Sequence, residues 1–181
     1  MAPNGRYALE RPLIFSLLQM LWDRGEPSGS AHHMTTDPLP NTPAHTILIH
    51  EAFGDHQVAN VQTEVEARTI GASIYQPALT EGRSTDVTPF FGIPAIPTFP
   101  FDGSALVVWD HGCSTPESCP NPPADADCTC PPPTTNTPPP GGHDPHEDPR
   151  NQPSARTQKS EFLQANGAVV DVCGGMPCLA P

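Results

Sequence analysis

Residues 47–72, ILIHEAFGDHQVANVQTEVEARTIGA, decide the fold class of this 181-residue chain. The stretch HTILIHE (45–51) contains a continuous run of branched apolar residues, which is typical of a strand buried on both faces of a parallel sheet. A polar turn, AFGDHQ (52–57), follows, and the pattern of residues 58–70 predicts a helix that ends at Gly71. Strand, short turn and helix form half of a parallel crossover unit, so we expect an α/β sheet.

Further elements are predicted on both sides of this unit. Residues 8–24 have apolar side chains at helical spacing, and SALVVW (104–109) predicts a second buried strand. Residues 154–164 predict a short helix, and 167–173 a short final strand or an extended tail. The segment 73–102 is apolar but rich in Pro and Gly, which predicts an ordered covering loop. The expected fold is an α/β fold with an incomplete parallel sheet of two to three strands and flanking helices.

The charge and the hydropathy pattern exclude two classes of function. The chain has 8 basic and 20 acidic side chains, a formal net charge of −12 at pH 7, and its few Lys and Arg residues are scattered. A nucleic-acid-binding surface needs clustered basic residues, so no nucleic acid is expected as a partner. No run of 18 apolar residues is present, so no transmembrane segment is expected. No feature predicts a cofactor.

Prolines and cysteines are concentrated in the C-terminal part. Residues 111–153 hold 13 of the 26 prolines, which predicts a long Pro-rich insertion loop between a core (8–110) and a terminal helix with a Cys-bracketed tail (154–181). The six cysteines all follow residue 110 and favour an oxidising, extracytoplasmic compartment. Cys173 and Cys178 bracket a Gly-Gly-Met-Pro turn and are the predicted local pair. The remaining four are expected to pair as Cys128 and Cys130 with Cys113 or Cys119.

Polar residues follow both predicted strands. Asp55 comes just after the first strand, at the edge of the sheet where α/β proteins bind ligands. The loop after the second strand carries His111, His143 and His146. A carboxylate after one strand and a histidine after the next is the chain order of acid and base in α/β-hydrolases. We therefore expect Asp55 to lie within hydrogen-bonding reach of one of these three rings.

The ordered set of segments resembles the C-terminal part of an α/β-hydrolase. Residues 47–72 resemble the penultimate strand, the acid turn and the following helix of that family. GSALVVWD (103–110), the loop to HDPHEDPR (143–150) and SARTQKSEFL (154–163) resemble its last strand, histidine loop and terminal helix, and VVDVCGG (169–175) follows them. The combination is similar to large extracytoplasmic hydrolase-like proteins of bacteria, and it covers nearly the whole chain.

The resemblance implies residue roles. Asp55 would be the acid of a catalytic triad, which fixes the tautomer of the histidine and stabilises its imidazolium form. His146 is the first choice for the general base because it lies in a polar cluster before the terminal helix, and His111 and His143 are the alternatives. Asp55 could equally serve as a helix cap. The acidic neighbours of His146, namely Asp144, Glu147 and Asp148, are interpreted as solvated charge.

One element of the family is missing. The family places its nucleophile in a G-x-S-x-G turn that precedes the acid, and the 181 residues contain no such motif. We therefore expect a C-terminal fragment of a serine hydrolase of the esterase, lipase or peptidase kind, without turnover by itself. Its expected partner is the missing N-terminal part of the same hydrolase, because a sheet with so few strands exposes long edges.

Two alternatives remain open. The first is a non-catalytic, secreted binding module that is stabilised by disulfides and uses the Pro-rich loop as its surface. The second is a metal-binding protein, because the histidines at 32–33 and at 143 and 146, with the Cys-x-Cys pair at 128–130, offer nitrogen and sulfur ligands. Cys-x-Cys among prolines does not have the spacing of structural zinc sites, so no metal ligands are predicted.

Overall fold

The computed structural model describes residues 10–112, 130–133, 138–139 and 141–181. The chain divides between His45 and Thr46 into two units.

The described part of the N-terminal unit, residues 10–45, contains three helices. They are α1 (Arg11–Trp22), α2 (Pro27–Ser30) and α3 (His32–Thr35). Pro12 lies in the first turn of α1, where its missing N–H costs no hydrogen bond, and the helix ends before Gly25. The predicted helix is therefore confirmed, although it is shorter at both ends than 8–24. No residue of α1 is buried.

The described residues of the second unit form a small open sheet of four parallel strands. They are β1 (Leu48–Ala52), β2 (Ser73–Ile74), β3 (Ala105–Asp110) and β4 (Cys178–Leu179). β3 lies in the centre and pairs with each of the other three. β1 covers one edge of β3, while β2 pairs with its beginning and β4 with its end along the opposite edge. The predicted mixed α/β class with a short parallel sheet is thus confirmed.

The apolar runs account for the two main strands. All six residues of β3 are buried, as expected of a central parallel strand with elements on both faces. Its side chains Val107 and Trp109 pack in a core with Tyr75, Ala155 and Val169. β1 begins three residues later than the predicted 45–51 strand and ends one residue later. Among the strands that the structure describes, β1 pairs with β3 alone, so its other edge is unpaired.

In the part of this unit that the structure describes, four helical segments flank the sheet. α4 (Asn60–Thr69) follows β1 and ends before Gly71, whose φ of +70° is the left-handed conformation expected of a C-terminal cap. After β3 come a 3-10 helix (Pro145–Glu147), α5 (Asp148–Asn151) and α6 (Pro153–Phe162). Ala155 and Gln158 are the buried residues of α6. The predicted helices at 58–70 and 154–164 are both confirmed, with shifted ends.

The segment 73–102 forms the predicted ordered covering loop. Its side chains Phe90, Ile93 and Ile96 are buried, and β2 lies at its start. Residues 167–173 were predicted to form a short final strand or an extended tail, and they do not form a strand of the sheet. Val169 instead forms an isolated antiparallel bridge with Phe101 of the covering loop, with both N···O distances 2.9 Å. The last strand of the sheet is β4, further along the chain.

The predicted Cys173–Cys178 disulfide is confirmed, with the two Cα atoms 5.3 Å apart. It is compatible with an extracytoplasmic location. Cys113, Cys119 and Cys128 lie outside the described residues, as does most of the predicted Pro-rich loop. None of the described helices is long and apolar enough to cross a membrane.

Candidate functional site

Asp55 lies in the tight turn between β1 and α4. Gly54, with a φ of +85°, reverses the chain after the strand, and a side chain is disfavoured in that conformation. One carboxylate oxygen of Asp55, Oδ1, accepts hydrogen bonds from the backbone N–H groups of Gln57 at 2.7 Å and Val58 at 2.9 Å. These two bonds fix the orientation of the carboxylate, and they leave its second oxygen available.

The second oxygen of Asp55 meets His146. The distance from Asp55 Oδ2 to His146 Nδ1 is 2.7 Å, and the two residues are 91 positions apart in the chain. The predicted contact with the first-choice histidine is therefore confirmed. Because a carboxylate only accepts hydrogen bonds, the ring hydrogen is assigned to Nδ1, and Nε2 presents a lone pair. The side chains of Asp55 and His146 are 10 % and 20 % exposed.

Asp144 joins the two loops that carry this pair. Its Oδ1 accepts the backbone N–H groups of His146 at 3.1 Å and of His56 at 3.3 Å, and its Oδ2 accepts the Gln57 side chain at 3.1 Å. Burial raises the pKa of Asp144, but the hydrogen bonds from Gln57, His146 and His56 outweigh that effect and lower the pKa overall. Asp144 was expected to be solvated charge. It is half-buried, and its carboxylate accepts three hydrogen bonds that join the two loops.

Asn60, the first residue of α4, supports the turn from the other side. Its Oδ1 accepts the backbone N–H of Gly54 at 2.8 Å, and its Nδ2 donates to the backbone oxygen of Ala52 at 2.8 Å. The residue is 6 % exposed. Sequence reasoning did not select Asn60, because a polar residue at the start of a helix is ordinary until its partners are known. The sequence feature that could have pointed to Asn60 is its position six residues after Gly54, which adopts a positive φ.

The two alternative histidines contact a different carboxylate. His111 Nδ1 lies 2.9 Å and His143 Nε2 lies 2.8 Å from Oδ2 of Asp148. Burial raises the pKa of Asp148, but the hydrogen bonds from the two rings lower it by more. Asp148 was expected to be solvated, and this expectation is wrong. The structure therefore separates the three candidate histidines into one that meets Asp55 and two that do not.

The Asp55–His146 pair lines a cleft of about 310 Å³ beside β1. Glu51 of β1 also lines the cleft, is 2 % exposed, and has no hydrogen-bond partner for either carboxylate oxygen among the described residues. Burial raises the pKa of Glu51 well above its usual range, and the negative charges of Glu64 and Asp55 add to the effect. Burial therefore shifts the equilibrium of Glu51 toward its protonated form.

The histidine of the pair has its second ring nitrogen available. Within the described residues no serine, threonine or cysteine is hydrogen-bonded to His146 Nε2, and Glu147 Oε1 lies 3.9 Å from this nitrogen. A histidine whose Nδ1–H is fixed by a carboxylate can accept a proton at Nε2 from a nucleophile placed against it.

Comparisons with protein-family models, with curated proteins and with solved structures found no match to this chain.

Proposed function

We propose that this chain is the C-terminal part of an α/β-hydrolase-like serine hydrolase, in which Asp55 and His146 are the acid and the base of the catalytic triad. The observation that carries the proposal is the 2.7 Å contact between Asp55 Oδ2 and His146 Nδ1. Asp55 follows β1 and His146 lies in the loop after the neighbouring parallel strand β3. Acid and base therefore follow the chain order of the hydrolase fold.

The roles of the two residues follow from their hydrogen bonds. Asp55, which is held by two backbone N–H groups, fixes His146 as the Nδ1–H tautomer. His146 Nε2 then takes the proton of a serine hydroxyl as its oxygen attacks the carbonyl carbon of an ester or amide. It returns that proton to the leaving group, and Asp55 stabilises the imidazolium form in between. The substrate class is an ester or amide, which corresponds to esterase, lipase or peptidase chemistry.

The serine and the oxyanion hole are assigned to a segment outside these 181 residues, because no G-x-S-x-G motif is present in them. One feature of β1 supports this assignment. One edge of the strand is unpaired among the described strands. A further strand along this edge would pair the open backbone N–H and C=O groups of β1.

Labelling with a fluorophosphonate, which reacts with activated serines, tests the proposal. The 181-residue chain alone is expected to remain unlabelled. A chain extended upstream in its own gene to include a G-x-S-x-G motif is expected to be labelled. In the extended chain, Asp55→Asn and His146→Gln should slow labelling by about 10³- to 10⁴-fold, because the serine loses its correctly oriented base. The control variant is His33→Gln in the N-terminal unit.

Three results would overturn the proposal. The first is specific labelling of the 181-residue chain, which would reveal a nucleophile within it. The second is an upstream gene sequence without the motif. The third is an extended chain in which Asp55→Asn and His146→Gln label as fast as His33→Gln.

The second candidate function is a secreted, disulfide-stabilised binding module. The Cys173–Cys178 disulfide favours it, because such bonds persist in oxidising compartments. Its surface would be the Pro-rich segment. In that case the chain alone would contain three disulfides by mass and would unfold cooperatively without a partner. An extracytoplasmic location belongs to both proposals.

A further inference from the structure

A second cluster of titratable side chains lies on the loop that carries His146. His111 directly follows β3, His143 precedes the 3-10 helix, and Asp148 is the first residue of α5. Both imidazole rings approach Asp148 Oδ2, from His111 Nδ1 at 2.9 Å and from His143 Nε2 at 2.8 Å. Neither ring contacts Asp55, so the cluster is separate from the pair assigned to hydrolysis.

The three donor atoms have the spacing of a metal-ligand set. All three lie within 4.8 Å of one another. Metal–nitrogen and metal–oxygen bonds of about 2.0–2.2 Å place neighbouring ligand atoms about 3 Å apart, which is close to the two distances observed here. The side chains of His111, His143 and Asp148 are 18 %, 31 % and 19 % exposed, so the cluster is sheltered and still reachable by water.

The hydrogen bonds of both rings converge on the same carboxylate oxygen, Oδ2 of Asp148. Both rings approach Oδ2, rather than one ring approaching each oxygen of Asp148. The ring centroids of His111 and His143 are 4.0 Å apart with an interplanar angle of 30°. A single cation bound between the two ring nitrogens and Asp148 Oδ2 would be coordinated by all three atoms. The net charge of −12 also favours cation binding.

We propose that His111 Nδ1, His143 Nε2 and Asp148 Oδ2 bind a divalent transition metal, with Zn²⁺ as the expected ion. Imidazole nitrogens suit Zn²⁺, whereas Ca²⁺ and Mg²⁺ prefer sites made of oxygen atoms. Each ring binds as the neutral imidazole, so its hydrogen moves to the other nitrogen: Nε2 of His111 and Nδ1 of His143. Water completes the coordination sphere.

The metal would tie the histidine loop to the sheet. Asp148 lies two residues after His146, and His111 lies one residue after β3. Coordination by both would hold the 3-10 helix at the end of the strand and so restrict the position of His146. The site does not depend on the hydrolase proposal, because its ligands make no contact with Asp55.

A hydrogen-bonded clamp without a metal is the competing explanation, and Asp148→Asn separates the two. An asparagine can still accept a hydrogen bond from a ring, but it replaces the anionic ligand with a neutral amide. A second histidine cluster, His32, His33 and Asp37, provides the control. It is formed locally within the N-terminal unit, and the Asp37 side chain is 74 % exposed.

The experiment is a zinc titration of the full chain, with thiols alkylated and metals removed by a chelator beforehand. We expect one zinc ion per chain by calorimetry and by metal analysis after desalting. His143→Gln and Asp148→Asn should each weaken zinc binding by at least about tenfold. Replacing a residue that only orients a metal ligand already weakens binding by about that factor. The double variant His32→Gln/His33→Gln should bind as the unsubstituted chain does.

Nitrogen-15 spectra of the histidine rings provide a readout that needs no variant. Zinc should shift the ring nitrogens of His111 and His143 and leave the rings of His32 and His33 unchanged. The proposal is overturned if no zinc binds or if Asp148→Asn and His143→Gln both bind with unchanged affinity. It is also overturned if the zinc-dependent shifts appear at His32 and His33 instead.

Discussion

Asp55 divides its carboxylate between two tasks. Oδ1 accepts backbone N–H groups of the turn before α4, and Oδ2 accepts the ring hydrogen of His146. A helix cap, a turn residue and the partner of the histidine were alternative interpretations of Asp55. The helix α4 begins at Asn60 after Ala59 and has no side-chain cap, so the cap interpretation is wrong, whereas the turn and the contact with the ring are both present. The backbone bonds hold one oxygen in place, so the other needs no further ordering to meet the ring.

His50 is expected to make the stability of the folded chain depend on pH. Burial lowers the pKa of His50 from 6.5 to about 4, so the unfolded chain binds a proton between those values while the folded chain does not. Stability contributed by His50 is therefore present above pH 6.5 and lost as the pH falls toward 4. Between pH 7.5 and pH 4.5 the loss should be about 2–3 kcal/mol.

Urea unfolding of His50→Gln beside the unsubstituted chain checks this prediction. The variant retains an amide that can bond Gln158 but lacks the titrating ring. The unfolding free energy of His50→Gln minus that of the unsubstituted chain should be about 2–3 kcal/mol higher at pH 4.5 than at pH 7.5. An equal pH dependence in both proteins, with exposed His45→Gln as control, would contradict it.

At the scale of elements, a buried ion pair fastens the covering loop to β3. Arg83 of the loop donates to Asp110 at the end of the strand, with Nε–Oδ2 2.6 Å and Nη2–Oδ1 2.9 Å. The guanidinium carbon of Arg83 also lies 5.1 Å from the centre of the Phe53 ring, which follows β1. Both members of the ion pair are buried, at 8 % and 2 % exposure. One side chain thus connects the loop to the C-terminal ends of both main strands.

Removal of one partner should cost more than removal of both. Asp110→Leu leaves the Arg83 guanidinium buried without its counter-charge, and we expect the unfolding free energy to fall by about 3–5 kcal/mol. The double variant Arg83→Met/Asp110→Leu should lose less, because no unpaired charge is left in the core. Denaturant unfolding of both variants measures the difference. A double variant less stable than the single one would show that the pair itself is strongly favourable.

At the scale of the whole molecule, the dominant feature is excess negative charge. With a formal charge of −12 at pH 7, the folded chain repels itself, and salt screens that repulsion. Raising NaCl from about 20 to about 300 mM should therefore raise the melting temperature at pH 7, because the Debye length falls below the spacing of surface charges. The increase should shrink near pH 4.8, the isoelectric point of the sequence.

A charge-reduced variant is the matched control for this prediction. Glu81 and Glu161 are exposed and take no part in the candidate site. Glu81→Gln/Glu161→Gln removes two negative charges and should melt with a smaller dependence on salt. A melting temperature that is independent of NaCl in both proteins would show that self-repulsion is not a significant part of the stability.

Most of the fold could be predicted from local patterns, and the failures were long-range. The strand, turn and helix around Asp55 and the central strand β3 each depend on an uninterrupted apolar run or on helical spacing within a few residues. The segment 167–173 also has an apolar run, yet Val169 pairs with Phe101, which is 68 positions earlier. Such pairing depends on how the covering loop lies across the core, and no local pattern encodes it.

The sequence by itself determined the α/β class, the turn that presents Asp55 and the Cys173–Cys178 pair, because apolar periodicity and close spacing act over short stretches of chain. Only the tertiary structure decided which histidine meets Asp55. Asp144 bonds the backbone of both loops and brings His146 to the carboxylate, while Asp148 holds His111 and His143. That sorting depends on hydrogen bonds between residues tens of positions apart, and these partners become neighbours only when parallel strands bring their C-terminal ends together.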